Sequence, residues 1–172
     1  MKNIYKYFLN LIFPKKCINC KREGSFFCED CLSLIELNQI KYCACSKNPQ
    51  KGILRCNNCP SNISCVYTVL NEKQYLAKKL FLKAQKIPEL NLYLSYLIIS
   101  YIKNVVNIKL DNNTFSIFFK DKEMKNIALN LAKFTKLKIG TETENILFIT
   151  KKYPLEDIDL KKKNIIVLSL FR

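Results

Sequence analysis

Histidine is absent from this chain of 172 residues. Without an imidazole side chain, the protein cannot use a histidine general base or a cysteine–histidine nucleophile pair, which excludes the enzymes built on those groups. The absence also limits metal binding, because protein zinc sites draw mainly on thiolate, imidazole and carboxylate ligands. A thiol-rich site in this chain would most simply hold its ion with thiolates alone.

Glycine and arginine are scarce. Only three glycines are present and none follows Gly140, so the C-terminal part cannot form a glycine-rich phosphate loop. The net charge of +15 favours a polyanionic partner, yet only Arg22, Arg55 and Arg172 are arginines. Because arginine provides most bidentate contacts to bases and phosphates, its scarcity argues against sequence-specific readout. Non-specific nucleic-acid binding through lysines stays open.

Cysteine, in contrast, is abundant and comes in pairs. Three pairs are C-x-x-C and one is C-x-C. A two-residue gap lets a tight turn place two sulfurs about 2.3 Å from one ion, and two such turns complete a tetrahedron. Gly24 and Gly52 lie between paired motifs, where a hairpin needs a residue that tolerates positive φ. We therefore predict a double zinc ribbon with two structural Zn²⁺ ions, held by Cys17, Cys20, Cys28, Cys31, Cys43, Cys45, Cys56 and Cys59. Spacing does not decide which pairs share an ion.

Disulfides and an iron–sulfur centre are the competing interpretations of these cysteines. The number of cysteines is odd, and the apolar part of the N-terminus is short, interrupted by Asn10 and followed by Pro14, unlike a signal peptide. We therefore expect a cytoplasmic protein with reduced thiols, which favours metal. The ninth cysteine, Cys65, has no partner motif and is predicted to be a small buried apolar residue.

Three regions are predicted from the patterning. Residues 1–14 form an N-terminal amphipathic helix, residues 15–64 form the double zinc ribbon, and residues 65–172 form an α/β domain. In the last region, apolar strand-like runs at 66–70, 114–119, 145–150 and 164–170 alternate with helical patterns, which indicates βαβ units and a mostly parallel sheet.

Each predicted helix has a recognisable start and a buried face. Asn71 is expected to cap the first helix and Asp121 the third, while Pro88 opens the second. The inward residues are expected to be Leu76, Leu80 and Ala84, then Leu90, Leu94, Leu97, Ile98 and Tyr101, then Met124, Ile127, Ala128, Leu131 and Phe134. The second helix is very apolar but is interrupted by polar residues and falls short of about 18 apolar residues, so we predict no membrane span.

The order of these features resembles the ComF family of competence-associated proteins. The resemblance is carried by Leu11-Ile12-Phe13-Pro14 before the first cysteine pair, by the cysteine pairs in order, and by the strand and helix of 66–85. It covers residues 5–103 well and the remainder weakly. It implies a double zinc ribbon joined to a type I phosphoribosyltransferase-like domain, with roles in DNA uptake or processing and with single-stranded DNA or DNA-processing proteins as partners.

The chain also departs from the family pattern. The third cysteine pair is C-x-C, and Ala84 and Lys86 stand where the family has an aromatic residue and a glycine. The family strand that binds phosphoribosyl pyrophosphate runs into two acidic residues and a Thr/Gly loop, whereas here Ser169-Leu170-Phe171-Arg172 follows the strand. We therefore expect a domain that is incomplete at its C-terminal end, without catalytic residues, and that acts as a binding or scaffold module.

Two alternative functions remain. The first is an active phosphoribosyltransferase that uses Mg²⁺ with unusual residues such as Lys83 and the run 161–163. The second is a zinc-ribbon protein that binds single-stranded nucleic acid without base specificity and has no nucleotide chemistry.

Overall fold

The computed structural model describes residues 13–39, 41–42, 63–111, 113–141, 143–152 and 164–171. The helices of these ranges are α1 (Glu29–Ser33), α2 (Tyr75–Ala84), α3 (Leu90–Tyr101) and α4 (Lys125–Thr135). A π-helical turn, Ile102–Val106, continues α3, and a 3-10 turn, Lys122–Met124, precedes α4. The strands are β1 (Lys41–Tyr42), β2 (Ile63–Thr68), β3 (Phe115–Phe119), β4 (Lys138–Ile139), β5 (Asn145–Lys152) and β6 (Asn164–Phe171). The N-terminal helix predicted for residues 1–14 lies almost wholly outside these ranges.

The six strands form one sheet in the order β1-β2-β6-β5-β3-β4. Strands β2 to β6 are mutually parallel, and β1 pairs antiparallel with β2 at one edge. The predicted mixed α/β fold with a mostly parallel sheet is therefore confirmed. Strands β5 and β6 lie in the middle of the sheet and are buried along most of their length. Burial on both faces explains why their sequences are continuous apolar runs instead of alternating ones.

Helices α2, α3 and α4 lie on one face of this sheet and form the main core with it. On this face their apolar side chains pack against Tyr67, Ile117, Leu147, Ile149 and Leu168. The opposite face has a smaller cluster, in which Val66, Ile146, Phe148, Ile165 and Val167 alternate along the strands with the residues of the main core. This alternation follows from the period of two in a strand.

The buried faces of α2 and α3 agree with the prediction. Leu76, Leu80 and Ala84 are buried in α2, and every inward residue expected in α3 is buried. In α4 the prediction holds for Ile127, Ala128 and Leu131, but Phe134 is 39% exposed, so its predicted inward position is wrong. None of the described helices is both long enough and apolar enough to cross a membrane.

Neither residue predicted to cap a helix makes a side-chain cap hydrogen bond, although Asp121 occupies the N-cap position of the 3-10 turn that leads into α4. Helix α2 begins only at Tyr75, and the Asn71 side chain instead accepts the backbone N–H of Lys73 at 3.0 Å, which makes a turn before the helix. The carboxylate of Asp121 gives no cap either, because it is bonded to residues at the end of β5.

Candidate metal centre

Four cysteines from the first two pairs meet at one point. The Sγ atoms of Cys17, Cys20, Cys28 and Cys31 all lie within 4.8 Å of one another, and those of Cys20 and Cys28 are 3.5 Å apart. A tetrahedral ion with metal–sulfur bonds of about 2.3 Å holds its sulfurs about 3.8 Å apart. None of the four forms a disulfide. The cluster can therefore hold one metal ion after only small movements of the side chains.

The first pair sits on a tight turn. The backbone N–H of Cys17 donates to the carbonyl of Arg22 at 2.8 Å, and the N–H of Lys21 donates to the carbonyl of Cys17 at 3.0 Å. Lys21 adopts the left-handed conformation, with φ of 67°. Just beyond the turn, Gly24 has φ of 113°, a conformation that L side chains rarely adopt, so the prediction for this glycine is confirmed.

The second pair sits at the start of a helix. Cys28 immediately precedes α1, Cys31 lies in the helix, and the N–H of Leu32 donates to the carbonyl of Cys28 at 2.9 Å. Residues three apart lie on the same side of a helix, so both sulfurs face the turn that carries Cys17 and Cys20. The two C-x-x-C motifs therefore bring their sulfurs together in different ways, the first with a turn and the second with the start of a helix.

Two of the four thiols have shifted pKa values. Burial raises the pKa of Cys17, but hydrogen bonds with the backbone of Cys28, Cys20 and Asn19 and with the Cys20 thiol lower it to about 6. The backbone of Cys31 lowers the pKa of Cys28, whereas burial and hydrogen bonds with the other three thiols raise it to about 12. Four thiolates this close repel each other, so full ionisation requires a cation between them.

Residues outside the cysteine pairs support the cluster. The Asn19 side chain donates to Cys31 Sγ at 3.4 Å, and the Lys79 ammonium of α2 donates to the Asn19 side-chain oxygen at 3.4 Å. Arg22 and Asp30 form an exposed ion pair that joins the turn to α1. Hydrogen bonds to a ligand sulfur orient it and tune its charge. The sequence alone did not identify Asn19 or Lys79, and no motif marks them.

One side of the cluster is packed into the main core of the α/β fold, while Cys20 on the other side is exposed. Cys17 is 0% exposed and Cys31 is 3% exposed, and both belong to that core. Phe27, in the same segment, meets Tyr93 of α3 edge to face with ring centroids 5.9 Å apart. The chain after α1 also contacts the α/β fold, because Leu37 forms an antiparallel bridge with Leu70, which follows β2.

The other predicted metal ligands, Cys43, Cys45, Cys56 and Cys59, lie outside the described residues, so the second ion stays a prediction. Cys65 lies in β2 and is buried beside Tyr67, as expected for a small core residue. Burial, together with the neighbouring Cys65, raises the pKa of the Tyr67 phenol.

The carboxyl ends of the parallel strands are a second place where a ligand could bind. The chain order reverses between β3 and β5, and in open α/β sheets ligands bind at such a switch point. Here one Asp121 oxygen accepts the Thr150 hydroxyl and the Lys151 N–H, both at 2.9 Å. The Lys151 ammonium in turn pairs with Glu123 at 2.8 Å. These polar groups therefore bind one another.

The end of β6 contains no acidic side chain. Ser169 is 0% exposed and its hydroxyl donates to the carbonyl of Phe171, while Leu170 is 1% exposed and packs in the core. The alternative hypothesis of an active phosphoribosyltransferase relied on Lys83 and on the lysines at 161–163. Lys83 is exposed on α2, and residues 161–163 lie outside the described residues.

Comparison with protein-family models, with curated proteins and with solved structures finds no match to this chain. What the site can do therefore follows from its own chemistry. Four thiolates around one ion leave no open position for water or substrate, which is the arrangement of structural metal sites and not of catalytic ones.

Proposed function

We propose that this protein is a structural zinc protein in which the metal centre fastens the N-terminal segment onto an α/β binding module. The observation that carries the proposal is the convergence of four sulfurs within 4.8 Å. Zinc suits this site because it accepts four thiolates in a tetrahedron, whereas Mg²⁺ and Ca²⁺ prefer oxygen ligands. An iron–sulfur cube binds each thiolate to a different iron and needs a wider arrangement than these distances allow. A second zinc ion at Cys43, Cys45, Cys56 and Cys59 is part of the proposal.

The α/β part is proposed to be ComF-like and catalytically silent. Two features support this. The polar groups at the switch point, Asp121, Thr150 and Lys151, are bonded to each other. In addition, the buried Ser169 and Leu170 stand where the family resemblance places acidic residues. A module of this kind would act in DNA uptake or processing, with single-stranded DNA or a DNA-processing protein as its partner.

Metal analysis combined with calorimetry tests this proposal. Purified protein is expected to contain two equivalents of zinc and to bind no phosphoribosyl pyrophosphate at millimolar concentration with Mg²⁺. Iron in place of zinc would refute the metal assignment. Saturable binding of phosphoribosyl pyrophosphate would revive the transferase alternative, and Lys83→Gln would then be the first variant to test.

A separate binding assay tests the DNA partner. An oligothymidylate is expected to bind with an affinity that falls steeply as salt rises, because lysine–phosphate contacts release counterions. No binding at low salt would refute single-stranded DNA as the partner while leaving the structural zinc assignment intact.

A further inference from the structure

A surface groove lies between the C-terminal ends of α3 and α4, away from both sites described above. Its volume is about 480 Å³, within the range of roughly 300–1,000 Å³ that is usual for small-molecule sites. Most of its lining is apolar, from Tyr96, Ile99, Ile102, Ile108, Leu110 and Phe134, and Lys103 and Thr135 complete it.

The groove continues into a second hollow of a different character. This hollow, of about 510 Å³, is lined by Lys109, Asp111 and Lys136 and shares Leu110 and Thr135 with the groove. Among the described residues, neither lysine forms an ion pair with a carboxylate. The Asp111 carboxylate accepts the backbone N–H of Asn113 at 3.2 Å in a turn. A mainly apolar compartment therefore opens into one in which two lysines outnumber a single carboxylate.

Irregular backbone builds this region. The π-helical turn Ile102–Val106 supplies one wall and ends at Asn107, which adopts the left-handed conformation with φ of 53°. Helix α4 also ends at a left-handed residue, Lys136, with φ of 60°. π-helical turns are rare and occur frequently at functional sites.

Two aromatic rings remain in solvent at the rim of the groove. Tyr96 and Phe134 stack with centroids 5.0 Å apart, although they are 52% and 39% exposed. A single exposed apolar side chain is ordinary, but a pair that joins an aliphatic groove makes a continuous apolar surface, and such surfaces mark binding sites.

We propose that this groove binds a small amphiphilic anion, with its apolar body along the Ile99–Leu110 wall and its anionic head between Lys109 and Lys136. The two joined compartments match the two halves of such a ligand in polarity and charge. Base stacking on single-stranded nucleic acid is a weaker fit, because most of the wall is concave and aliphatic and not a flat aromatic platform.

Isothermal calorimetry on the zinc-loaded full chain tests the proposal with two ligands of equal chain length and opposite head charge, dodecanoate and dodecyltrimethylammonium. Both are used below their micelle-forming concentrations. We expect one dodecanoate per chain, bound at least tenfold more tightly than the cation. Hexanoate should bind at least tenfold more weakly than dodecanoate, because it buries fewer methylene groups.

The double variant Lys109→Gln/Lys136→Gln removes both charges and keeps side chains of similar length. Dodecanoate affinity should fall about tenfold and most of the preference for the anion should be lost, as expected for two partly solvated charge contacts, while Lys103 in the groove keeps its charge. Lys78→Gln/Lys83→Gln on α2 is the matched control, because it makes the same change in net charge at exposed lysines outside the groove. It should bind dodecanoate like the parent chain.

The variant Tyr96→Ser tests the apolar compartment. Its expected effect is weaker binding of both long-chain ligands, with the preference for the anion retained. Unchanged zinc content and unfolding temperature identify variants that have kept their fold.

Three results would each overturn the proposal: equal affinity of the parent chain for both head charges, an anion preference that is unchanged by loss of both lysines, or oligothymidylate binding that depends on Tyr96 while dodecanoate fails to bind. None of these results would contradict the proposed zinc centre, because the zinc content of the protein is measured separately.

Discussion

The substitution Cys31→Ser gives the sharpest test of the metal centre. Cys31 is 3% exposed, and its sulfur is one of the four that lie within 4.8 Å of each other. Serine keeps the size of the side chain but replaces the soft sulfur ligand with a hydroxyl that stays protonated. We expect the variant to lose one equivalent of zinc per chain and to release the segment 15–37 from the α/β core.

Comparison of two free energies shows that the ion is the larger contribution to docking of the segment. Burial of three apolar side chains of the segment, Ile18, Phe27 and Ile35, stabilises its docking by about 6 kcal/mol, at about 2 kcal/mol for each side chain. Zinc binding to small thiolate-rich peptides at neutral pH supplies about 10–16 kcal/mol. The ion is thus the larger of the two contributions, and both oppose the entropy lost when the segment is ordered.

Hydrogen exchange measured by mass spectrometry detects the release. The amides of Cys17, Ile18 and Gly24 donate backbone hydrogen bonds of 2.8–2.9 Å in the folded segment. Their protection should fall by more than about a hundredfold without the ion, the effect of removing a ligand present at 100 times its Kd. Amides of the central strands β5 and β6 should remain protected.

Cys65→Ser is the matched control, because Cys65 is also buried but lies in β2, outside the cluster. This variant should keep the full zinc content and the protection of the segment. If metal-free Cys31→Ser protein retained the protection of residues 15–27, the idea that the ion holds the segment in place would be refuted.

Three further outcomes are expected. Zinc affinity, measured by competition with a chromophoric chelator, should fall as pH drops from about 8 to about 6, because the pKa of Cys28, raised to about 12, means that the ion must displace a bound proton. Affinity that does not change with pH would contradict this. Asp121→Asn should lower the free energy of unfolding in urea by about 1–3 kcal/mol, because two donors at the end of β5 lose a charged acceptor. Leu131→Ala, at a 0% exposed site, should cost about 2–5 kcal/mol, whereas Leu129→Ala, 47% exposed on the same helix, should stay within about 0.5 kcal/mol of the parent chain.

Periodicity in the sequence was enough to predict most of the α/β fold. The inward faces of α2 and α3 were read correctly because apolar residues repeat at three and four positions on helices that pack on one side. The apolar runs at 145–150 and 164–170 likewise indicated strands, and the fold buries most of β5 and β6. These patterns predict the fold because burial of apolar surface is the main driving force of folding, and each helix or strand buries its apolar face along its whole length.

Elements held by distant contacts could not be predicted in this way. Strand β4 has only two residues, both exposed, and exists because it pairs with β3. Phe134 continues the helical period of α4, but the helix ends one residue later and its last turn extends past the core, which leaves the ring stacked on Tyr96 in solvent. The apolar period of a helix does not show where the surface on which the helix packs comes to an end.

For the candidate site, the sequence by itself determined the ligand chemistry. The lack of histidine and the spacing of the cysteine pairs predicted thiolate ligands in groups of four, because coordination geometry limits how far apart two ligands in one turn can lie. Only the tertiary structure decided that the first two pairs converge, that Asn19 and Lys79 support them, and that Cys17 and Cys31 are buried in the main core. The physical reason is range. A turn or the start of a helix fixes the geometry of two neighbouring sulfurs, whereas the meeting of the two pairs, and what covers them, depends on packing between segments far apart in the chain.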